Sequence, residues 1–270
     1  KETPRRPPYQ ELEDVSIHEL IDQVTANSAI KVLIDTTIHK ISGAPGMFDV
    51  TTNNGTGSFR VGSIVLAAGW KPYDANKLEH LSYGKFPDVI TNVEMESMAK
   101  SGKILCPSDG STPGVTAFIQ CAGSRDANHL PYCSAVCCRV SLKQALYVKE
   151  QDPETKVFVF NKDMRTPEQH EDFYKKVQKE GVVFVKTDTS QIKISEGSEK
   201  KLCIEAMDEL LGESIMVEAD LVVLATGMQP AVLDDPILNL EYRQGPALPE
   251  LKYGFPDSHF VCFPYETRRT

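Results

Sequence analysis

Four cysteines, Cys121, Cys133, Cys137 and Cys138, fall within eighteen residues of a 270-residue chain. Four thiolates converging on one point can hold zinc or an iron-sulfur cluster. The spacing favours the cluster. Cys137 and Cys138 are adjacent and Cys133 lies four residues before Cys137, unlike the paired C-x-x-C knuckles of most structural zinc sites. Two competing readings remain: small thiols packed in a core, since free cysteine is among the most buried residue types, and a redox-active Cys137/Cys138 disulfide. Cys106, Cys203 and Cys262 are scattered and read as ordinary thiols. An odd total of seven and the tight grouping argue against a disulfide framework and for a reducing cytoplasm.

These thiols must be positioned by a nucleotide-type α/β unit. Val115 to Gln120 reads as a strand, Ser134 to about Glu150 as a helix, Lys156 to Phe160 as a strand, Thr166 to Glu180 as a helix and Val182 to Lys186 as a strand. That β-α-β-α-β order implies a parallel sheet. Weaker strands at Gln191–Ser195, Lys201–Met207 and Ser214–Val217 form a meander turning at Leu211-Gly212, and Asp220 to Gly227 returns as a buried strand ending in glycine. The cysteines therefore sit at a strand end and a helix start, where a Gly-x-Gly-x-x-Gly loop would seat a pyrophosphate on the helix N-terminus. Here only Gly123 remains of those glycines, and the positive end of the helix is offered to thiolates, whose ionised form it favours.

Upstream, residues 1 to 14 are Pro-rich and charged. Ser16 and Glu19 predict a capping box for an amphipathic helix over about 16 to 27, with Ile17, Leu20, Ile21 and Val24 on one face. Strands are expected at Val32–Ile41, Met47–Thr52 and Phe59–Val61, with turns at Gly43–Gly46 and Asn54-Gly55, then an apolar strand from Ser63 to Trp70 ending in Ala68-Gly69. A loop-rich crossing runs from Lys71 to about Gly114, with a helix capped by Thr91 and Glu94. The order complete at 115–227 thus has its second half repeated alone at 32–69. The expected fold is α/β, a flavoprotein with two dinucleotide-binding domains: 1–114 as the later part of the first FAD-binding half plus a linker, 115–228 as a complete inserted NAD-domain-like unit carrying the cysteines, and 229–270 as the return to the FAD domain. Without an initiator Met, the chain reads as a piece of a larger polypeptide.

Composition excludes several classes. With 29 basic and 38 acidic residues, the net charge of -9 leaves no footprint for nucleic acid or an anionic membrane. No apolar stretch approaches the roughly 18 to 20 residues of a bilayer span. No Ser-His-Asp, H-E-x-x-H or P-loop pattern is present. His129 reads as polar loop rather than a donor to a metal ligand, and His170, Glu171 and Asp172 as a solvated helix face.

The run Gln120-Cys-Ala-Gly-Ser-Arg-Asp through Pro131-Tyr-Cys-Ser-Ala-Val-Cys-Cys to Ala145 resembles the flavoprotein component of heterodisulfide reductases, their A subunits. So do Ala68-Gly-Trp-Lys-Pro-Tyr73, Pro87 to Asn92, Asp220 to Met228 and Gly254 to Phe260. The resemblance implies a thioredoxin-reductase-like core binding FAD, a four-iron, four-sulfur cluster on Cys121, Cys133, Cys137 and Cys138, and electron transfer toward partner subunits that reduce or oxidise a disulfide or sulfur compound. The parent protein is then expected to be a homo-oligomer within a redox complex. Carried over for FAD are Ala68, Gly69, Trp70, Lys71 and Gly227, with Lys143 as a cation near the isoalloxazine. The family's N-terminal Gly-x-Gly-x-x-Gly does not occur in these residues. The alternative is a cofactor-free or zinc-binding docking module. A third reading, an NAD(P)H-dependent disulfide reductase, is disfavoured by the missing glycines after Gln120.

Overall fold

A computed structural model describes residues 1–231 apart from 45, 54–56 and 66. By packing, the described residues divide into two units, one of residues 1–15 and 72–228, the other of 16–71 together with 229–231. The second unit holds helix α1 (Ile17–Ala26) and an antiparallel meander of β1 (Ile38–Ala44), β2 (Met47–Thr52) and β3 (Ser58–Val61), joined in that order. Strand β4 (Trp70–Pro72) straddles the boundary.

Three expectations for this unit need correction. Ser16 has helical rather than extended backbone and makes no capping bond, so the Ser16/Glu19 box does not form. The first strand begins at Ile38 rather than Val32. The apolar strand expected at Ser63–Trp70 is also not formed over the described residues 63–69. An all-apolar strand is stable only with neighbours on its edges and cover on both faces, and Val65 is 89% exposed among the described residues. The Asn54-Gly55 hairpin lies outside the described residues.

The first unit is the α/β domain that the sequence predicts. Its elements are β5 (Val89–Thr91), α2 (Asn92–Ser101), β6 (Val115–Ala122), α3 (Cys137–Gln151), β7 (Lys156–Asn161), α4 (His170–Lys179), β8 (Val183–Lys186), the meander β9 (Lys193–Glu196), β10 (Leu202–Asp208) and β11 (Glu213–Ala219), and β12 (Leu221–Thr226). The last strand among the described residues, β13 (Met228–Pro230), pairs with β4. Five strands form one parallel sheet in the order β5-β12-β6-β7-β8. Because β5 pairs with β12, residues 72–114 pack with this domain instead of lying outside a boundary at 114/115.

Strand alternation builds two cores. Ala117, Ile119, Val222 and Leu224 face a cluster with Ile194, Leu202, Ile204 and Ala206 of the meander. Phe118, Leu221 and Val223 face Met95 of α2, Leu142 and Ala145 of α3, and Phe173 and Val177 of α4. The domain is therefore three layers, helices on one face of the sheet and the β9-β10-β11 meander on the other. Helix α2 starts as the sequence dictates: Thr91 Oγ1 accepts from the Glu94 N–H at 3.3 Å and the Glu94 carboxylate accepts from the Thr91 N–H at 2.6 Å.

Candidate functional site

The central strand β6 ends where the chain order of the sheet reverses, with β7 and β8 on one side and β12 and β5 on the other. In open α/β sheets, ligands bind in the crevice beyond the carboxyl ends of the strands at this switch point. The register between β12 and β6 slips here. Leu224 faces Ile119, yet Thr226 faces Ala122, so β6 carries an extra residue in the Gln120–Cys121 region. Cys121 has a φ of 54°. A bulge of this kind re-aims a side chain, and Cys121 is turned toward the loop that leads into α3.

That loop, 123–136, is tied down by its own backbone. Ser124 donates to the Cys121 carbonyl at 3.0 Å, Leu130 to that of Gly123 at 3.0 Å and Arg125 to that of Tyr132 at 3.0 Å. Against the start of β13, Ser134 Oγ accepts from the Met228 N–H at 2.8 Å, and Tyr132 donates to the Met228 carbonyl at 3.1 Å. The loop also holds His129, whose Nδ1 pairs with the buried Tyr73 hydroxyl at 2.8 Å while its ring stacks on His80. His129 thus anchors the loop, in line with its reading as a polar loop residue.

All four cysteines line one small pocket together with Arg125, Asp163 and Arg165. Cys137 and Cys138 are the first residues of α3 and are buried. Cys133 Sγ accepts from the Ala135 N–H at 3.3 Å and Cys138 Sγ from the Arg165 N–H at 3.4 Å. The Cys137 thiol donates to the Thr226 carbonyl at 3.5 Å. Burial pushes the Cys137 thiol up to about 12, with charge on Cys121, Cys138 and Cys133 adding to it. Cys121 and Cys138 are raised too, first by burial, although Arg125 works against the rise at Cys121 and the Arg165 N–H against it at Cys138. The helix N-terminus is therefore outweighed by burial as long as the sulfurs carry protons.

Thiols that resist ionisation because they are buried beside one another are stabilised as thiolates by a shared cation, since metal binding releases their protons. No group of three or more His, Cys, Asp or Glu side chains among the described residues stands in ready-made metal-binding array. The fit lies in the donor set: four soft sulfur ligands facing one pocket, N–H donors to two of them, and the buried Nη1 of Arg125, which has no hydrogen-bond partner.

The residues expected at a flavin are placed differently. Ala68, Gly69, Trp70 and Lys71 are exposed and belong to the second unit. Gly69 has a φ of +75° and open space where a Cβ would stand, so its backbone can be approached closely. Gly227 is packed against the cysteine loop. A Cβ there would meet Ser124 Oγ at 2.0 Å and Leu130 Cδ1 at 2.9 Å, so the glycine accommodates the cysteine loop itself. Lys143 is paired within the protein: its ammonium lies 2.8 Å from Glu96 and donates to the Lys1 carbonyl at 3.1 Å, and its side chain is 12% exposed. A cation so paired presents little net charge to a neighbour. Cys106 is buried and donates to the Asp220 carbonyl, as an ordinary core thiol would, and Cys262 lies outside the described residues. Sequence reasoning missed Arg125, Asp163 and Arg165, although Arg125 is the one Arg or Lys inside the cysteine run.

The fold and the site define an α/β protein with a parallel sheet whose switch point carries a four-cysteine pocket. Within that class, the chain is similar to the A subunits of heterodisulfide reductases. It is 38% identical over 178 residues to one of the CoB–CoM heterodisulfide reductase iron-sulfur A subunits of Methanopyrus kandleri, covering 63% of this chain and 27% of that protein. With the corresponding CoB–CoM heterodisulfide reductase iron-sulfur protein of Methanocaldococcus jannaschii the identity is 38% over 179 residues, again 63% and 27% of the two chains. The chain thus spans about a quarter of the length of these relatives. No protein-family model matches it. Among solved structures, a thioredoxin reductase from T. acidophilum is similar at a TM-score of 0.46 and 13% identity, covering 85% of this chain and 64% of that one. The bacillithiol disulfide reductase of Bacillus cereus gives 0.41 and 14%, covering 87% and 63%. No helix among the described residues is long and apolar enough to cross a membrane.

Proposed function

We propose that this chain is part of an electron-transfer flavoprotein in a heterodisulfide-reductase-like complex, a cytoplasmic FAD-dependent oxidoreductase component working with partner subunits. The observation that carries the reading is the single pocket lined by Cys121, Cys133, Cys137 and Cys138, in a chain whose relatives are named iron-sulfur subunits. These four residues would hold a four-iron, four-sulfur cluster, which supplies one-electron carrier chemistry when bound. The chain's own contribution is local. Amide groups of Ala135 and Arg165 donate to two of the sulfurs, and hydrogen bonds to cluster sulfurs tune reduction potential. The start of α3 buries Cys137 and Cys138, while Cys121 and Cys133 are half-buried.

Among the residues expected at FAD, Ala68 to Lys71 remain candidates, while the surroundings of Gly227 and Lys143 speak against a flavin role for those two. In the proposed protein, FAD would exchange electrons with partner subunits acting on a disulfide or sulfur compound, and the parent would be a homo-oligomer.

Anaerobic purification of the 270-residue chain, with iron, sulfide, zinc and flavin quantified on one sample, tests the reading. About four irons per chain with matching sulfide is the expected result. A colourless protein that also refuses reconstitution with iron and sulfide overturns it in favour of a docking module, and stoichiometric zinc reassigns the same thiols to a structural role.

A further inference from the structure

We propose that Arg125 is a positioning residue that sets the electrostatics of the four-cysteine pocket, its fixed positive charge favouring the more electron-rich state held there; this rests on the four-iron reading. Four observations converge on the side chain. It lines the same pocket as all four cysteines. The residue before it, Ser124, donates its N–H to the Cys121 carbonyl at 3.0 Å, which holds the start of the Arg125 turn against the strand end that carries the sulfur. Arg125 Nη2 donates to Asp163 Oδ2 at 2.8 Å, which fixes the plane of the guanidinium, while the buried Nη1 makes no hydrogen bond. Its backbone is held as firmly: φ is 54°, the N–H donates to the Tyr132 carbonyl, and the carbonyl accepts from Lys162 Nζ at 3.4 Å.

A non-glycine residue in the left-handed region is uncommon, and such backbone persists only where its surroundings over-determine it. Arg125 shares that conformation with Cys121, four residues earlier, so the turn that aims the sulfur also aims the guanidinium. Four thiolates bring four negative charges into a largely buried site, and each one-electron reduction adds another. A cation fixed at the wall of that pocket opposes the accumulation most effectively in the reduced state. The other charges lining the pocket are Arg165, which is exposed, and Asp163, which carries the opposite sign and is paired to Arg125. Arg125 is therefore the partly buried cation of the pocket, and Asp163 its counterweight.

The two charges make a signed test on the full chain, reconstituted anaerobically with iron and sulfide and titrated with dithionite under spectroscopic control. Arg125→Met is expected to make the one-electron reduction about tenfold less favourable, about 59 mV more negative, at unchanged iron content. Asp163→Asn is expected to move the potential the opposite way, and Arg125→Lys to keep most of the wild-type value. Should Arg125→Met take up no iron, the Asp163→Asn shift decides the matter, and a null or negative shift there overturns the proposal. Iron-loaded Arg125→Met at the wild-type potential overturns it as well. A wild-type chain that takes up no iron overturns the four-iron reading and this inference together, which separates the two failures.

Discussion

Gly227 and Ser124 are in closer contact than any side chain at position 227 would permit, since a Cβ on Gly227 would lie 2.0 Å from Ser124 Oγ. The first residue after β12 is thereby the floor on which the cysteine loop rests. Gly227→Ala is expected to push the loop away from the sheet, at a cost of about 1–3 kcal/mol for overpacking and several degrees in Tm. Thermal unfolding monitored by circular dichroism checks this. An unchanged Tm would mean that the loop can lift off β12 freely.

In metal-free protein, Cys137 and Cys106 should resist alkylation. Burial holds them at about 12 and about 11, so at pH 8 their thiolate fractions are about 0.0001 and 0.001, against roughly a quarter for an ordinary thiol. Iodoacetamide labelling followed by peptide mapping should show both sites slow at pH 8 and accelerating about tenfold per pH unit. Labelling of either at the rate of a free thiol would contradict the buried, protonated state.

The Thr91/Glu94 box is the best-formed cap in the domain, with both reciprocal bonds present. Thr91→Ala should cost about 1 kcal/mol. The effect should appear as a lower urea midpoint with an unchanged slope, because the folded and unfolded surfaces barely change.

Acid should weaken the contact between β7 and the turn after β8. Burial alone would raise the Asp188 carboxyl, but Lys162 at 2.9 Å and the Ser190 hydroxyl and N–H outweigh it and hold the group at about 2. Its folded value lies below the unfolded value of about 3.9, so the stabilisation is present above about pH 4 and is lost as pH falls toward 2. Asp188 is 41% exposed, and solvent screening keeps the contribution under about 1 kcal/mol. Asp188→Asn should flatten the stability profile between about pH 4 and pH 2. A profile as steep as that of wild type would assign the acid sensitivity to other carboxylates.

The first unit was largely legible in the sequence because its signals are local and agree with one another. The apolar run of β12, the 3.6-residue pattern of α3 and the turn at Leu211-Gly212 each point to one conformation, and the sheet pairs them as expected. The second unit was less legible. Ser63 to Gly69 has strand composition, yet composition cannot say whether a partner strand is available, and α1 has an amphipathic face with no residue buried. Val89–Thr91 erred in the other direction: three residues give too short a pattern to read as a strand, but β12 offers an open edge that pairs with them.

For the site, the sequence by itself determined which residues could do chemistry, since four sulfurs in eighteen residues between a strand and a helix narrow the possibilities by type and spacing alone. Tertiary structure decided what surrounds them. Gly227 and Lys143 carry the residue types of cofactor contacts, but one is in contact with Ser124 and the other is neutralised by Glu96, 47 residues away in the chain. The left-handed turns at 121 and 125 and the carboxylate of Asp163, 38 residues further on, fix the Arg125 guanidinium at the four-cysteine pocket. Residue type sets which interactions are available, while electrostatic and steric outcomes depend on distance, and distances between remote parts of a chain are set only when it folds.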